Sequence, residues 1–560
     1  MTTSDPIASP VVDDASRRRR VPGWVFVAAG AIAVGGLAFA LTAGTDSEEP
    51  PAAAPAPRFV DDTPVSGVDH AYTGGFDYFV GGGVATFDCN DDARPDLYFA
   101  GGASPAALYR NTTPVGGPLQ FEKAPSPITD LTAVTGAYPI DIDSDGHLDL
   151  VVLRHGENRI LRGLGDCRFE PASDALGIEG GDAWTTAFSA SWEGDAGLPT
   201  MAFGTYLDAD LTTCGTSLLA RPEGAVYGTP IPLSPGYCTL SMLFSDWSRT
   251  GQRDLRLAND RHYYTDGSEQ LWEVPPGEEP RLYTQADGWR PLQVWGMGLA
   301  SRDVTGDGMP EVFITSQGDN KLQSLDGGPA LPTYADIALR RGVTAQRPYA
   351  GGDVLPSTAW HPEFEDVNND GFVDLFLTKG NVEGQTDHAM RDPSNLLLGQ
   401  PDGTFVEGAE AAGITRYERA RGAALVDLDL DGLLDLVVVN REAPATLWRN
   451  AGDSESNDTS PMGHWLAVGL EQPAPNVNGV GVWIEVSTDS GTTVREVTVG
   501  GGHAGGQAGW IHTGLGTADG ADVRVTWPDG EVGEWITVDA DQFVTITRGS
   551  NEATAHVPTG

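Results

Sequence analysis

The 560-residue chain carries 34 Lys and Arg against 79 Asp and Glu, a formal net charge of -45. Affinity for nucleic acid rests on Lys and Arg neutralising phosphates, so this balance excludes nucleic acid as a partner. The composition fits an exported acidic protein whose clustered charge repels itself until cations neutralise part of it.

At the N-terminus, residues 1–20 form a basic tail ending in Arg17 to Arg20, and residues 21–45 carry no charge, with Trp24-Val-Phe-Val-Ala-Ala-Gly-Ala-Ile-Ala-Val34 at their centre. That stretch exceeds the ~7–15 residues of a signal-peptide core and suffices for the ~20 needed to cross a bilayer. One transmembrane helix is predicted. The positive-inside rule then keeps the tail in the cytoplasm and puts everything after Thr45 outside. Ala38-Phe-Ala40 is also a cleavage signature, and a cut there would release the protein. Residues 46–57, rich in Pro and Ala, read as a semi-rigid stalk.

From residue 88 to 435 an acidic loop followed by an apolar strand recurs. Five copies are clear, and counting from the first Asp each places oxygen side chains at positions 1, 3, 5 and 9. They are Asp88, Asn90, Asp92 and Asp96; Asp141, Asp143, Asp145 and Asp149; Asp303, Thr305, Asp307 and Glu311; Asp366, Asn368, Asp370 and Asp374; and Asp427, Asp429, Asp431 and Asp435. A hard cation such as Ca²⁺ takes ~6–8 oxygen ligands, and Gly at position 6 allows the sharp turn that lets them converge. About five calcium sites are therefore expected, the five loops holding 18 of the 79 acids. EF-hands are excluded, because position 12 is Phe99, Val152, Ile314, Leu377 or Val438 instead of Glu. Those residues lie in short β-branched runs such as Asp149-Leu-Val-Val-Leu153, which read as buried strands.

Between residues 141 and 303, Asp246 to Asp254 keeps positions 1, 6 and 9 of the pattern, and Ser191 to Thr200 is a more eroded copy. Starts at 88, 141, 191, 246, 303, 366 and 427 give intervals of 53, 50, 55, 57, 63 and 61 residues. Repeats of this length with several strands each are propeller blades. The fold class is thus all-β: a seven-bladed propeller over residues 58–455. Gly83 to Phe87, Asp96 to Phe99, Ala107 to Arg110 and Gln120 to Lys123 give the four strands of the first blade. The last blade lacks its outer strand, and Arg58-Phe-Val-Asp61 has the missing pattern, so pairing between them would close the ring.

Four cysteines in an exported chain suggest two disulfides. Cys214 and Cys238 flank one Gly/Pro-rich excursion, and Cys89 and Cys167 lie in turns that share a face of neighbouring blades. The alternative is four buried free thiols. Residues 462–549 alternate apolar and polar positions and turn at Pro528-Asp-Gly530, the mark of a small β-sandwich or barrel. Trp465, Trp483, Trp510, Trp527 and Trp535 read as its core and not as a ligand platform, with Trp510 beside the glycine run the exception to test, and Gly500 to Gly506 as one of its loops.

No catalytic motif emerges. His155, His262 and His388 follow second strands or lie in an excursion near Arg154, Asp260 and Asp387, yet spacing brings no nucleophile and base together. His361-Pro-Glu-Phe-Glu365 is not a zinc-protease motif.

The acidic loops resemble FG-GAP/VCBS repeats. Asn478-Gly-Val-Gly481, Gly500-Gly-Gly-His503, Gly514-Leu-Gly516 and Val523-Arg-Val-Thr-Trp-Pro-Asp-Gly530 resemble an ASPIC/UnbV domain, and together they match the architecture of the cartilage acidic protein family. The resemblance implies an extracytoplasmic, calcium-binding propeller with a small β domain. Ala93 in place of the loop glycine, and the loss of carboxylates in copies three and four, depart from the pattern. The function expected is a membrane-anchored recognition, adhesion or scaffold module for a protein or glycan outside the cell; a carbohydrate-active enzyme or lectin on the same scaffold is the alternative.

Overall fold

The computed structural model describes residues 55–178, 181–260, 267–453 and 462–558, and residues 51–560 form one compact unit. The expected basic tail and membrane span lie outside the described residues, among which no helix is long and apolar enough to cross a membrane. Among the described residues helix is confined to single turns such as Ser173–Leu176 and Ala338–Arg341.

Seven four-stranded antiparallel sheets follow one another among the described residues before the C-terminal domain. The first contains Val84–Phe87, Asp96–Phe99, Ala107–Asn111 and Phe121–Lys123 in that order. Burial falls from the innermost strand outward: Val134–Ile140 is buried throughout, whereas Phe121–Lys123 buries only its phenylalanine. This gradient explains the sequence pattern, since strands covered on both faces are continuous apolar runs and edge strands keep one anchor. The last sheet takes its outer strand from Phe59–Asp61, with Phe59 opposite Asn450 and Asp61 opposite Trp448.

First strands of successive sheets pack side by side, and Arg419–Val426 of the seventh lies against both Ala359–Glu365 and Val84–Phe87. Threonine hydroxyls tie these neighbours: Thr135 Oγ1 donates to Thr185 O at 2.5 Å and Thr186 Oγ1 to Thr239 O at 2.7 Å. The fold is all-β and propeller-like.

The C-terminal domain is a pair of four-stranded sheets around a shared apolar core that includes Leu466, Val468, Ile484, Val523 and Val544. His464–Glu471 runs parallel to Gln542–Thr547, and Ala553–His556 adds an edge strand beyond residue 549. Trp465, Trp483 and Trp527 are buried as expected, but Trp535 is 42% exposed, with the Arg524 guanidinium stacked on it at 4.3 Å.

The glycine run is more than a domain loop. Val499 to Gln507 lies along first strands of the sheets and makes bridges to Ala190, Leu243, Leu299, Ala137 and Thr86. Gly501 N donates to Met242 O and Gly502 N to Leu299 O, both at 2.6 Å. Glycines on the facing strands make room: a Cβ on Gly83 or Gly136 would come within 1.8 or 2.1 Å of the Ala504 carbonyl oxygen. From the opposite end Phe79 packs on Trp184 and Tyr206, and the two segments meet where Gly81 N donates to His503 Nε2 at 3.1 Å.

Candidate metal centres

Each of the clear acidic loops joins a first strand to a second strand and is built on the same bonds. The position-1 carboxylate accepts from the N–H groups of positions 5 and 6: Asp141 from Asp145 and Gly146 at 3.2 and 2.9 Å, Asp366 from Asp370 and Gly371 at 3.2 and 2.8 Å, and Asp427 from Asp431 and Gly432 at 3.2 and 2.9 Å. Asp88 does the same, and Asp303 accepts from Gly306 and Gly308. The position-9 carboxylate ties the loop to its sheet: Asp149 accepts from Ile142 N at 2.9 Å and from third-strand Gly163 N at 2.8 Å. Asp96, Asp374 and Asp435 repeat both bonds, and Glu311 keeps the first.

These bonds force position 6 into the left-handed region, with φ of 94° at Gly146, 86° at Gly371 and 88° at Gly432. That is the reason for glycine there, and Ala93 adopts the same conformation at φ 70°. Position 4 is left-handed as well, in Asp91, Ser144, Asn369 and Leu430, where no glycine marks it.

Position 3 is different. In three loops it keeps oxygens that no donor reaches: Asn90 Oδ1, Asp143 Oδ1 and both carboxylate oxygens of Asp429 are buried without a hydrogen-bond partner, whereas Asp143 Oδ2 pairs with the Arg162 guanidinium and Asn368 Oδ1 accepts from Asp370 N at 3.2 Å. Asp141, Asp143 and Asp149 bring one ligand atom each to within 4.8 Å of one another, as do Asp427, Asp429 and Asp435. Burial pushes Asp96, Asp149 and Glu311 up to about 7, and Asp429 is driven far up by burial and by the charges of Asp435, Asp431 and Asp427. Buried oxygens with lone pairs and no donor, surrounded by like charge, are what a bound cation satisfies. The donor set is all oxygen, which suits Ca²⁺ or Mg²⁺ over softer metals.

In the remaining three clear loops the side chains are joined in pairs: Asn90 Nδ2 donates to Asp92 at 3.0 Å, Thr305 Oγ1 to Glu311 at 3.1 Å and Asn368 Nδ2 to Asp370 at 3.2 Å. The two eroded copies are filled by other means. In the fourth, Asp254 accepts from Trp247 Nε1, Tyr283 Oη, Gln252 Nε2 and Val274 N, so its lone pairs are spent on protein donors. Strand pairing of Ser191 with Thr200 places position 1 of the third copy at Trp192, one residue later than the composition suggests, and puts Gly197 at position 6. There Glu193 bridges Thr200, Arg221 and Gly277 N.

Both disulfides form as paired in the sequence. Cys89, at position 2 of the first loop, joins Cys167 in the second sheet with Cα atoms 4.6 Å apart, and Cys214 joins Cys238. The histidines near the second-strand ends do not assemble: His155 stacks on Trp184, His388 lies beside exposed Asp387, Asp260 accepts from Tyr206, and His262 is outside the described residues. Sequence reasoning missed the buried polar groups of the interior, where His361 contacts Glu363 at 3.2 Å and accepts from His503 N at 3.0 Å. His361 and Glu363, with Arg302 and Trp510, line a cavity of about 660 Å³ between the first strands and the C-terminal domain.

The family of FG-GAP-like repeats matches residues 88–152 and 366–438, and the family described as ASPIC and UnbV matches residues 472–553. The chain carries both kinds of unit. Cartilage acidic protein 1 of Mus musculus is 28% identical over 167 residues, 27% of this chain and 22% of that protein's length. Among solved structures, similarity extends to an Agrocybe aegerita lectin described as recognising non-reducing terminal N-acetylglucosamine, at 16% identity, 68% of this chain, 95% of that chain and a TM-score of 0.38. It also extends to BBS1N in complex with ARL6DN, at 12% identity, 71% of this chain, 98% of that chain and a TM-score of 0.42.

Proposed function

We propose that this chain, with its FG-GAP-like repeats and C-terminal ASPIC and UnbV domain, is a membrane-anchored, extracytoplasmic, calcium-binding propeller that serves as a recognition, adhesion or scaffold module. Its seven sheets are blades of one closed ring over residues 58–455, sealed by the pairing of Phe59–Asp61 with Thr446–Asn450. The C-terminal domain starts at 462 and runs past 549 through the edge strand Ala553–His556, and the segment at 21–45 is the anchor. Ca²⁺ is held by positions 1, 3, 5 and 9 of the five clear loops, where it neutralises carboxylates that burial alone would keep protonated. The partner, a protein or a glycan, meets the less regular excursions at 206–240 and 379–394.

The observation that carries the calcium reading is the set of orphaned position-3 oxygens, Asn90 Oδ1, Asp143 Oδ1 and Asp429 Oδ1 and Oδ2, in loops whose other bonds are complete. Calorimetric melting in millimolar calcium, millimolar magnesium and chelator tests it. An ion that binds only the folded state at ~100 times its Kd adds about 2.7 kcal/mol per site, so calcium raises the melting temperature well above the chelator value. Equal melting in all three would exclude the reading.

A further inference from the structure

Position 4 lies between two ligand positions and is left-handed in every clear loop and in the fourth: φ is 61° at Asp91, 59° at Ser144, 53° at Arg249, 74° at Gly306, 58° at Asn369 and 55° at Leu430. Four of these six residues are the ones that touch the C-terminal domain. Ser144 Oγ accepts from Asn476 N at 2.9 Å. Asn369 O accepts from Gly516 N at 2.9 Å, and its side-chain oxygen is 2.7 Å from His512 Nε2. Leu430 packs with Trp465, Ala467 and Phe543. Arg249 reaches Glu485 at 3.3 Å and stacks over Trp483 at 4.6 Å. Among the described residues no hydrogen bond or ion pair joins Asp91 or Gly306 to that domain; Asp91 faces His147 at 3.7 Å and a Cβ on Gly306 would meet nothing within 4 Å.

The backbone around the pegs is just as close. A Cβ on Gly514 would come 2.0 Å from Asp366 Oδ2, and one on Gly432 1.9 Å from Trp465. Loops six and seven are joined by Asn369 Nδ2 donating to Gly432 O at 3.0 Å. A side chain in the left-handed region is held there by its surroundings, because L-residues disfavour it. In loop four that restraint comes from the protein, through the four donors on Asp254, and the same loop grips the domain further through Arg253 to Gly481 O at 2.6 Å and Asp246 N to Glu496 at 3.0 Å. In loops two and seven, where Asp143 Oδ1 and both Asp429 oxygens have no protein donor, the restraint at position 3 is the proposed ion, and in loop six the ion adds to the bonds between Asn368 and Asp370; the inference therefore rests on the calcium reading.

We infer that the position-4 residues Ser144, Asn369 and Leu430 are docking pegs for the C-terminal domain, set by the ions bound on either side of them. Loop four is the ion-independent tether on the other flank. Losing the ions releases the domain on the side of loops six and seven, withdraws Val499 to Gln507 from the first strands, and opens the cavity lined by Arg302, His361 and Glu363. Linkage makes the effect reciprocal: whatever weakens docking weakens ion binding at the same loops by the same factor.

Hydrogen exchange on the full-length protein, with calcium and with chelator, tests this alongside a calcium-binding isotherm. Expected in chelator is at least about tenfold faster exchange at the Gly501, Gly502 and Gly516 amides, with the Asp246 amide unchanged. Leu430→Ala, which removes a peg and no ligand, should bring the same acceleration in calcium and weaken about two sites of the isotherm. Asp91→Ala, at the same loop position without a contact to the domain, should do neither. Calcium uptake with unchanged exchange in chelator, or an unaltered isotherm in Leu430→Ala, would overturn the inference and leave the calcium reading standing. No calcium uptake at all would overturn both.

Discussion

Asp429→Asn should change stability with opposite sign in the presence and absence of calcium. The side chain is 1% exposed, neither oxygen has a hydrogen-bond partner, and three carboxylates surround it. Without an ion the native state must either hold a fourth charge or protonate it. At pH 7.5, protonating a group with an ordinary value of ~3.9 costs at most about 5 kcal/mol, at 1.36 kcal/mol per unit. Asparagine keeps the shape and removes that cost, so a gain of about 2–4 kcal/mol is expected in chelator. For a unit spanning residues 51–560, an unfolding entropy of ~2.1 cal/mol/K per residue converts 1 kcal/mol to about 1 °C. Scanning calorimetry should therefore show Asp429→Asn melting about 2–4 °C higher than wild type in chelator. In calcium the variant loses one anionic ligand, and a ~100-fold weaker site lowers stability by about 2.7 kcal/mol, or some 3 °C. Destabilisation of the same size in both conditions would show that Asp429 is a structural group, and the reasoning would fail.

Gly136→Ala places a methyl against the Ala504 carbonyl oxygen and should cost about 1–3 kcal/mol with faster exchange across Val499 to Gln507; Gly197→Ala, with nothing within 4 Å, should be silent in the same melt. Replacing Cys89 and Cys167, 78 residues apart, by serine should lower stability by about 4 kcal/mol on the chain-entropy estimate, read as a melting shift of some 4 °C. Glu269, 1% exposed and pushed up to about 8 by burial against the pull of Arg256 and the Asn259 N–H, gives a pH signature. Its folded value is raised, so its contribution is present below ~4.3 and lost as pH rises through about 8. In saturating calcium the melting temperature should fall over that window, and Glu269→Gln should flatten the decline; an unchanged slope would refute the assignment.

What was legible in the sequence is what local chemistry repeats. Ligand spacing, the glycine at position 6 and the apolar run after position 9 are set within a dozen residues, so the clear loops and their strands could be read directly. The missing outer strand could be assigned to Arg58-Phe-Val-Asp61 because a fourth-strand phrase recurs elsewhere. Both cysteine pairs followed from the turns they occupy. Three features depend on distant residues and left no local mark. Trp247 and Tyr283 substitute for an ion at Asp254 only because the third and fourth strands bring Tyr283 back to the loop. The glycines at 500–506 answer glycines at 83 and 136, and a contact across some 400 residues is invisible to spacing. The position-4 residues share a backbone conformation but no residue type, so Ser144, Arg249, Asn369 and Leu430 look unrelated until the C-terminal domain is seen resting on them. Trp535 was misjudged because a tryptophan stacked under a surface arginine has the same pattern as one in the core.

The most direct measurement is the calcium content of the full-length protein after exhaustive dialysis against micromolar calcium, by plasma mass spectrometry, next to a variant carrying Asp→Asn at Asp141, Asp366 and Asp427. The account predicts about five ions per chain and about two in the variant. Wild-type protein with no calcium, or a variant that keeps the full complement, would contradict it.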